Sequence, residues 1–170
     1  NQVEMLRSAP IPGGYSLFEG DLRGSPNNSE VKDLDFIPSP YLTGILDPFL
    51  KEGFIPLIET NRGCPFLCTF CVWGVAALNK IQKFSVDRVY RDLDYVTQIG
   101  ENYPNLIFAD ANFGILKRDV DIAKYIRKVY EDTGTFASVD LYWSKSAQEH
   151  MVEIGRTLGH LTNTYIAFQS

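Results

Sequence analysis

All three cysteines of this chain fall in one stretch, Gly63-Cys64-Pro65-Phe66-Leu67-Cys68-Thr69-Phe70-Cys71, spaced C-x3-C-x2-C. Three thiolates this close, with no fourth in the chain, suit a partner that uses three and leaves one position open. A cubane iron–sulfur cluster does so: each thiolate takes one iron, and the fourth iron stays available to another ligand. Gly63 lets the backbone come close, and Pro65 stiffens the first gap. Other chemistries fit less well. Structural zinc asks for four ligands, usually as two spaced pairs. The two histidines, His150 and His160, stand far along the chain in a stretch of helical pattern, where they read as surface or packing residues. A disulfide leaves one cysteine over. Inert core cysteines are usually scattered, not gathered in one loop bounded by Gly and Pro.

The elements around that loop alternate between two periodicities. Phe54-Ile55-Pro56-Leu57-Ile58 ends at Glu59 and reads as a first strand. After the cysteines, Ser85 is placed as an N-cap, Phe84 and Val89 as a hydrophobic staple, and Asp87 in the first turn. Val86, Val89, Tyr90, Leu93, Val96 and Ile99 then share a helical face that Gly100 closes. Leu106-Ile107-Phe108-Ala109 is a continuous apolar run, expected of a parallel strand buried on both faces. Asp119 caps a second helix that carries Ile122, Ala123, Ile126 and Val129 and ends at Gly134. Residues 136–142 predict a third strand. Ser146 and Glu149 form a capping box for a third helix with Met151, Ile154 and Leu158, closed by Gly159. Tyr165-Ile166-Ala167-Phe168 predicts a fourth strand.

Strand and helix alternating in steps of about thirty residues predict an α/β fold with a parallel sheet and right-handed crossovers. Residues 1–53 differ: they are rich in Pro, Gly, Asn and Ser, with turn chemistry at Pro10-Ile11-Pro12-Gly13-Gly14 and an extended Pro38-Ser39-Pro40. They read as an extended connecting arm, with the folded domain over 54–170. A parallel sheet that stops at its fourth strand leaves an edge and an apolar side uncovered, so the chain is expected to be a piece of a longer one.

In parallel α/β folds ligands bind beyond the carboxyl ends of the strands. The polar residues that abruptly follow the apolar runs are Glu59 to Cys71, Asp110 and Asn112, Ser144 and Lys145, and Gln169 and Ser170. One rim thus collects thiolates, a carboxylate, amides and hydroxyls. Arg62 is expected to pair with a carboxylate or tune a cluster's potential, and Lys145 to be a solvated residue at a helix start.

Composition narrows the function further. Hydrophobic residues make up 45% and charged ones 22%, as in ordinary globular domains. The net charge of -5 argues against a broad nucleic-acid surface. No apolar run approaches a membrane span. Thiolates kept for a cluster fit a reducing cytosol, so a cytoplasmic location is expected.

With Phe70 just before its last cysteine, the motif resembles that of the radical S-adenosylmethionine (SAM) enzymes. Ile37-Pro38-Ser39-Pro40-Tyr41-Leu42-Thr43-Gly44, Glu59-Thr60-Asn61-Arg62-Gly63-Cys64-Pro65, Ala109-Asp110-Ala111-Asn112-Phe113-Gly114-Ile115 and Phe168-Gln169-Ser170 resemble the subgroup whose radical domain follows a cobalamin-binding domain. The resemblance runs over residues 34 to 170. It implies a partial TIM-like (β/α) barrel, of which about four βα units lie here. It also implies a [4Fe-4S] cluster on Cys64, Cys68 and Cys71, with SAM on the fourth iron and cleaved to a 5'-deoxyadenosyl radical. Phe70 would pack near the adenine, Asp110 and Asn112 would meet the methionine end, and Gln169 and Ser170 the ribose hydroxyls. Two departures stand out: the family's Gly-Gly-Glu-like segment reads Asp110-Ala111-Asn112, and Val72 replaces an acidic residue. The implied reaction is cobalamin-dependent methyl transfer or rearrangement, with cobalamin held by a domain outside this chain. Still open are a cobalamin-independent radical SAM dehydrogenase or epimerase and a non-catalytic iron–sulfur or zinc module. The implied partners are a small-molecule or peptide substrate and an electron donor such as a flavodoxin or ferredoxin.

Overall fold

A two-residue turn at Glu19-Gly20 folds Tyr15–Phe18 (β1) back on Asp21–Gly24 (β2). Both turn residues have positive φ, 51° and 86°, the handedness that matches the twist of a tight hairpin. The computed structural model describes residues 15–24, 31–71, 79–99, 103–146 and 148–165. Contacts divide the chain into two units, Asn1–Lys32 and Asp33–Ser170. The hairpin belongs to the first. The division falls inside the segment expected as one connecting arm, and residues 33–53 belong with the second unit.

That segment is ordered by side chains the composition does not advertise. A 3-10 turn at Leu34–Phe36 starts where the Asp33 carboxylate accepts the Asp35 N–H at 3.0 Å. A short helix, α1 (Asp47–Lys51), begins with Pro48 in its first turn, where the missing N–H costs nothing. Leu34, Tyr41 and Leu50 are buried in the core. The Ser39 hydroxyl donates to Asp92 at 2.6 Å, and Arg88 donates to Asp92 and to the Ile37 carbonyl at 2.9 Å.

The sheet of the second unit has four parallel strands in sequence order: β3 (Leu57–Ile58), β6 (Asn105–Phe108), β7 (Ser138–Tyr142) and β8 (Thr162–Tyr165). Between them run α2 (Val86–Ile99), α3 (Asp119–Thr133) and α4 (Glu149–Leu158). Val89, Leu93 and Val96, then Ile122 and Ile126, then Ile154 and Leu158 pack against Ile58, Leu106, Phe108, Val139 and Leu141, all buried. An antiparallel pair, β4 (Asn61–Arg62) with β5 (Gln82–Lys83), stands apart from the sheet.

Several local expectations change. The strands are buried on one face, not two: Leu106 and Phe108 are buried while Ile107 is half-exposed and Ala109 exposed. The row across the other face runs Leu57, Ile107, Asp140, Asn163, and Asn163 donates to Asp140 at 2.9 Å. The third strand begins at Ser138 because Phe136 takes φ 66°, outside strand geometry. The fourth begins earlier than expected, at Thr162, and residues 166–168 of the expected strand lie outside the described residues. Ser85 does cap α2, accepting the Arg88 N–H at 3.1 Å. The Ser146–Glu149 capping box does not form: Gln148 is the N-cap, with no side-chain bond. Gly100 lies outside the described residues, whereas Gly134 closes α3 in the left-handed region.

Candidate cofactor site

The cysteine loop rises from the carboxyl side of β3 and is closed at its base. β4 and β5 pair Asn61 with Lys83 and Arg62 with Gln82, and the Phe84 N–H donates to the Thr60 carbonyl at 3.0 Å. Gly63 enters the loop with φ 101°, a conformation that favours glycine. Cys64 is 4% exposed; Cys68 and Cys71 are half-buried, and a turn bond joins the Cys71 N–H to the Cys68 carbonyl at 3.1 Å. None of the three is in a disulfide. Phe70, expected against adenine, is 74% exposed.

Arg118 holds the base of this loop. Its guanidinium donates to the Phe84 carbonyl on one flank and to the Thr60 carbonyl, at 2.7 Å, on the other. Nothing in the spacing marks Arg118, whose partners lie 34 and 58 residues away. Asp119, next to it, is the first residue of α3 and not its N-cap. Its Oδ2 accepts the Gly114 N–H at 2.9 Å and the Leu116 N–H at 3.1 Å, fixing the loop after β6. Burial pushes the Asp119 carboxyl up and the Arg118 guanidinium down.

Asp110 is fully buried just beyond β6. Its Oδ1 accepts the backbone N–H of Thr60 at 2.7 Å and of Asn61 at 3.2 Å; its Oδ2 accepts the Thr60 hydroxyl and the Asn61 amide at 2.7 Å. An ionised carboxylate offers about four acceptor directions, and here four donors meet them. Burial nevertheless pushes the carboxyl up to about 7, with the Asp119 charge adding to the shift and the hydrogen bonds opposing it. As arranged, Asp110 is a strut between β6 and the strand that precedes the cysteines.

Asn112, two residues on, is 1% exposed, and neither its Nδ2 nor its Oδ1 has a hydrogen-bond partner. A buried amide left wholly unpaired is rare and costly. Ser144 is buried at the end of β7. Arg62 donates to Glu59 at 2.7 Å. Lys145 approaches Cys68 at 3.8 Å. His150 is at 2.7 Å from the Gly114 carbonyl, and His160 packs edge-on to Tyr130. Gln169, Ser170 and Val72 lie outside the described residues.

The donor set is chemically suited to an iron–sulfur cluster: three thiols on one loop, a buried unpaired amide on the same rim, and a nearby ammonium. Among the described residues, no three His, Cys, Asp or Glu side chains converge closely enough to hold a single metal ion. A cubane does not ask for that convergence, since each thiolate takes its own iron. No helix among the described residues is long and apolar enough to cross a membrane.

No family model matches the chain. Over 126 residues it is 33% identical to 2-(S-pantetheinyl)-carbapenam-3-carboxylate methyltransferase of Streptantibioticus cattleyicolor, covering 71% of this chain and 18% of that protein. Over 138 residues it is 33% identical to the cobalamin-dependent radical SAM methyltransferase TokK of Streptomyces tokunonensis, covering 78% of this chain and 20% of that protein. The solved structure of the cobalamin-dependent S-adenosylmethionine radical enzyme OxsB with aqua-cobalamin bound matches with a TM-score of 0.59 at 21% identity, over 99% of this chain and 26% of that one. That likeness is one of fold. The chain spans about a fifth of the length of the two curated relatives.

Proposed function

We propose that this chain is part of the radical domain of a cobalamin-dependent radical SAM methyltransferase. The observation that carries the reading is the loop of Cys64, Cys68 and Cys71, seated on the carboxyl side of the first strand of a parallel sheet. The similarity to two methyltransferases supports the reaction class. In this reading the four-stranded sheet is a section of a partial barrel, and its rim is the cofactor face.

Cys64, Cys68 and Cys71 hold a [4Fe-4S] cluster, and the bound cluster supplies one electron for reductive cleavage of SAM. The chain's own residues hold, orient and exclude. The β4–β5 pair and Arg118 keep the ends of the cysteine loop together, so the thiolates approach from one side. Asp110 ties that strand to β6. Asn112 offers its unpaired amide, two donors and a carbonyl oxygen, to the amino-acid end of SAM. Phe70 would be the loop's aromatic face for the adenine, and Gln169 and Ser170 would be the partners of the ribose hydroxyls. Cobalamin is held outside this chain, the substrate is a small molecule or peptide, and the electron donor is of the flavodoxin or ferredoxin class. A cytoplasmic setting keeps the thiols reduced.

The test is anaerobic reconstitution of the complete protein with iron and sulfide, followed by SAM and a reductant. The expected product is 5'-deoxyadenosine, with iron and sulfide lost in Cys68→Ala. Full iron and sulfide in that variant, or no SAM cleavage by the loaded wild type, rejects the assignment.

A further inference from the structure

Lys145 reads in the sequence as a solvated residue at a helix start, yet its ammonium points across the rim to the cysteine loop. Nζ lies 3.8 Å from Cys68 Sγ, 77 residues earlier in the chain, and 5.8 Å from the centroid of the Phe66 ring. Both contacts are on the one loop, one to a thiol and one to an aromatic face. Its backbone stem is fixed. The Phe113 N–H donates to the Tyr142 carbonyl at 2.8 Å, and the Ser144 N–H to the Phe113 carbonyl at 2.9 Å, one residue before Lys145. The side chain therefore starts from a pinned point at the end of β7. Arg62, the cation the sequence suggests for this role, is held by Glu59 at 2.7 Å.

From this geometry we infer that Lys145 is a positioning residue for the cluster: its ammonium donates to the Cys68 thiolate and stabilises the reduced state. The inference rests on the cluster reading above. Charge and hydrogen bonds at ligand sulfurs set the potential of an iron–sulfur cluster. Reduction adds one electron, supplied by the flavodoxin- or ferredoxin-class donor, which is oxidised by one electron; no bond breaks and no proton moves. The reduced cluster is the more negative state, so a fixed positive charge beside one of its sulfurs favours it. Lys145 acts through Cys68 and touches no substrate atom.

The test compares wild type, Lys145→Met and Lys145→Arg in the complete protein, reconstituted without oxygen. Iron and sulfide per chain are measured first, then the midpoint potential by a redox titration followed by electron paramagnetic resonance. Lys145→Met is expected to keep its iron and sulfide while its one-electron reduction constant falls about tenfold, a shift of about 59 mV to lower potential. Lys145→Arg is expected to stay near wild type, because a charge with donors remains. A loaded Lys145→Met at the wild-type potential overturns this inference alone. If Lys145→Met takes up no cluster, Lys145→Arg decides: recovery of cluster and potential supports the charge, and equal failure overturns it. A wild-type protein that binds no iron or sulfide overturns the cluster reading and this inference with it.

Discussion

Asp110 grips Thr60 with both carboxylate oxygens, taking its backbone N–H on Oδ1 at 2.7 Å and its hydroxyl on Oδ2. The pair joins the second strand of the sheet to the residue just ahead of the cysteine loop. Asp110→Ala removes the acceptor shared by the Thr60 and Asn61 donors, leaving buried groups unpaired, and is expected to cost about 1–3 kcal/mol. The cost depends on pH. The folded carboxyl is pushed up to about 7, above the ~3.9 of an unfolded chain, so the native state holds this proton more tightly. The stability it contributes is full below the unfolded value and is lost as pH rises through the folded one. In urea unfolding the gap between wild type and variant should narrow from about pH 5 to about pH 8. A gap that widens over that range contradicts the raised carboxyl.

Asn112→Leu should separate stability from binding. Leucine has the same branched outline and removes an amide with no partner, so the chain without SAM should gain about 1 kcal/mol. The reconstituted complete protein should bind SAM at least about tenfold more weakly, a loss of about 1.4 kcal/mol. Equilibrium dialysis with labelled SAM reads the second effect. Unchanged binding removes Asn112 from the site.

Tyr41 occupies the side of β3 that faces away from β6. Its hydroxyl donates to the Leu57 carbonyl at 2.6 Å and accepts the Leu57 N–H at 3.0 Å. Burial raises its pKa to about 12, so it stays protonated across the ordinary pH range. Tyr41→Phe leaves both backbone groups without that partner, for about 1–2 kcal/mol. Hydrogen exchange at the Leu57 amide should quicken by about tenfold. Unaltered exchange at Leu57 argues that β3 is held by β6 alone.

Arg88 and Asp92, both largely buried, anchor the segment before α1 through Ser39 and the Ile37 carbonyl. Asp92→Ala strands the guanidinium and is expected to cost about 3 kcal/mol or more. The double change Arg88→Met, Asp92→Leu should recover most of that loss. A cycle with no coupling between the two positions rules out the pair as the anchor.

What the sequence reveals here is what is local. Val89, Leu93 and Val96 carry their period on the page, and α2 packs along that stripe. The three cysteines announce themselves by spacing. Pairings across distance leave no such mark. Residues 33–53 read as part of a connecting arm because residues 1–53 as a whole are rich in Pro, Gly, Asn and Ser, yet Ser39 meets Asp92 53 positions later. Asp119 suits an N-cap by type, but the preceding loop supplies N–H groups in better positions. Ser146 loses its capping role because α4 starts after Gln148. Arg118 and Lys145 have ordinary neighbours in sequence, and only the sheet brings them to the cysteine loop.

One guanidinium bridging the carbonyls of Thr60 and Phe84 bears on the entropy of assembly. A chain segment whose two ends are already joined has fewer shapes to surrender when its middle is drawn around a guest. If the loop takes up the proposed cluster, much of the ordering that capture demands is done when the polypeptide folds. In that reading, affinity for inorganic iron and sulfide is coupled to a residue that never meets either.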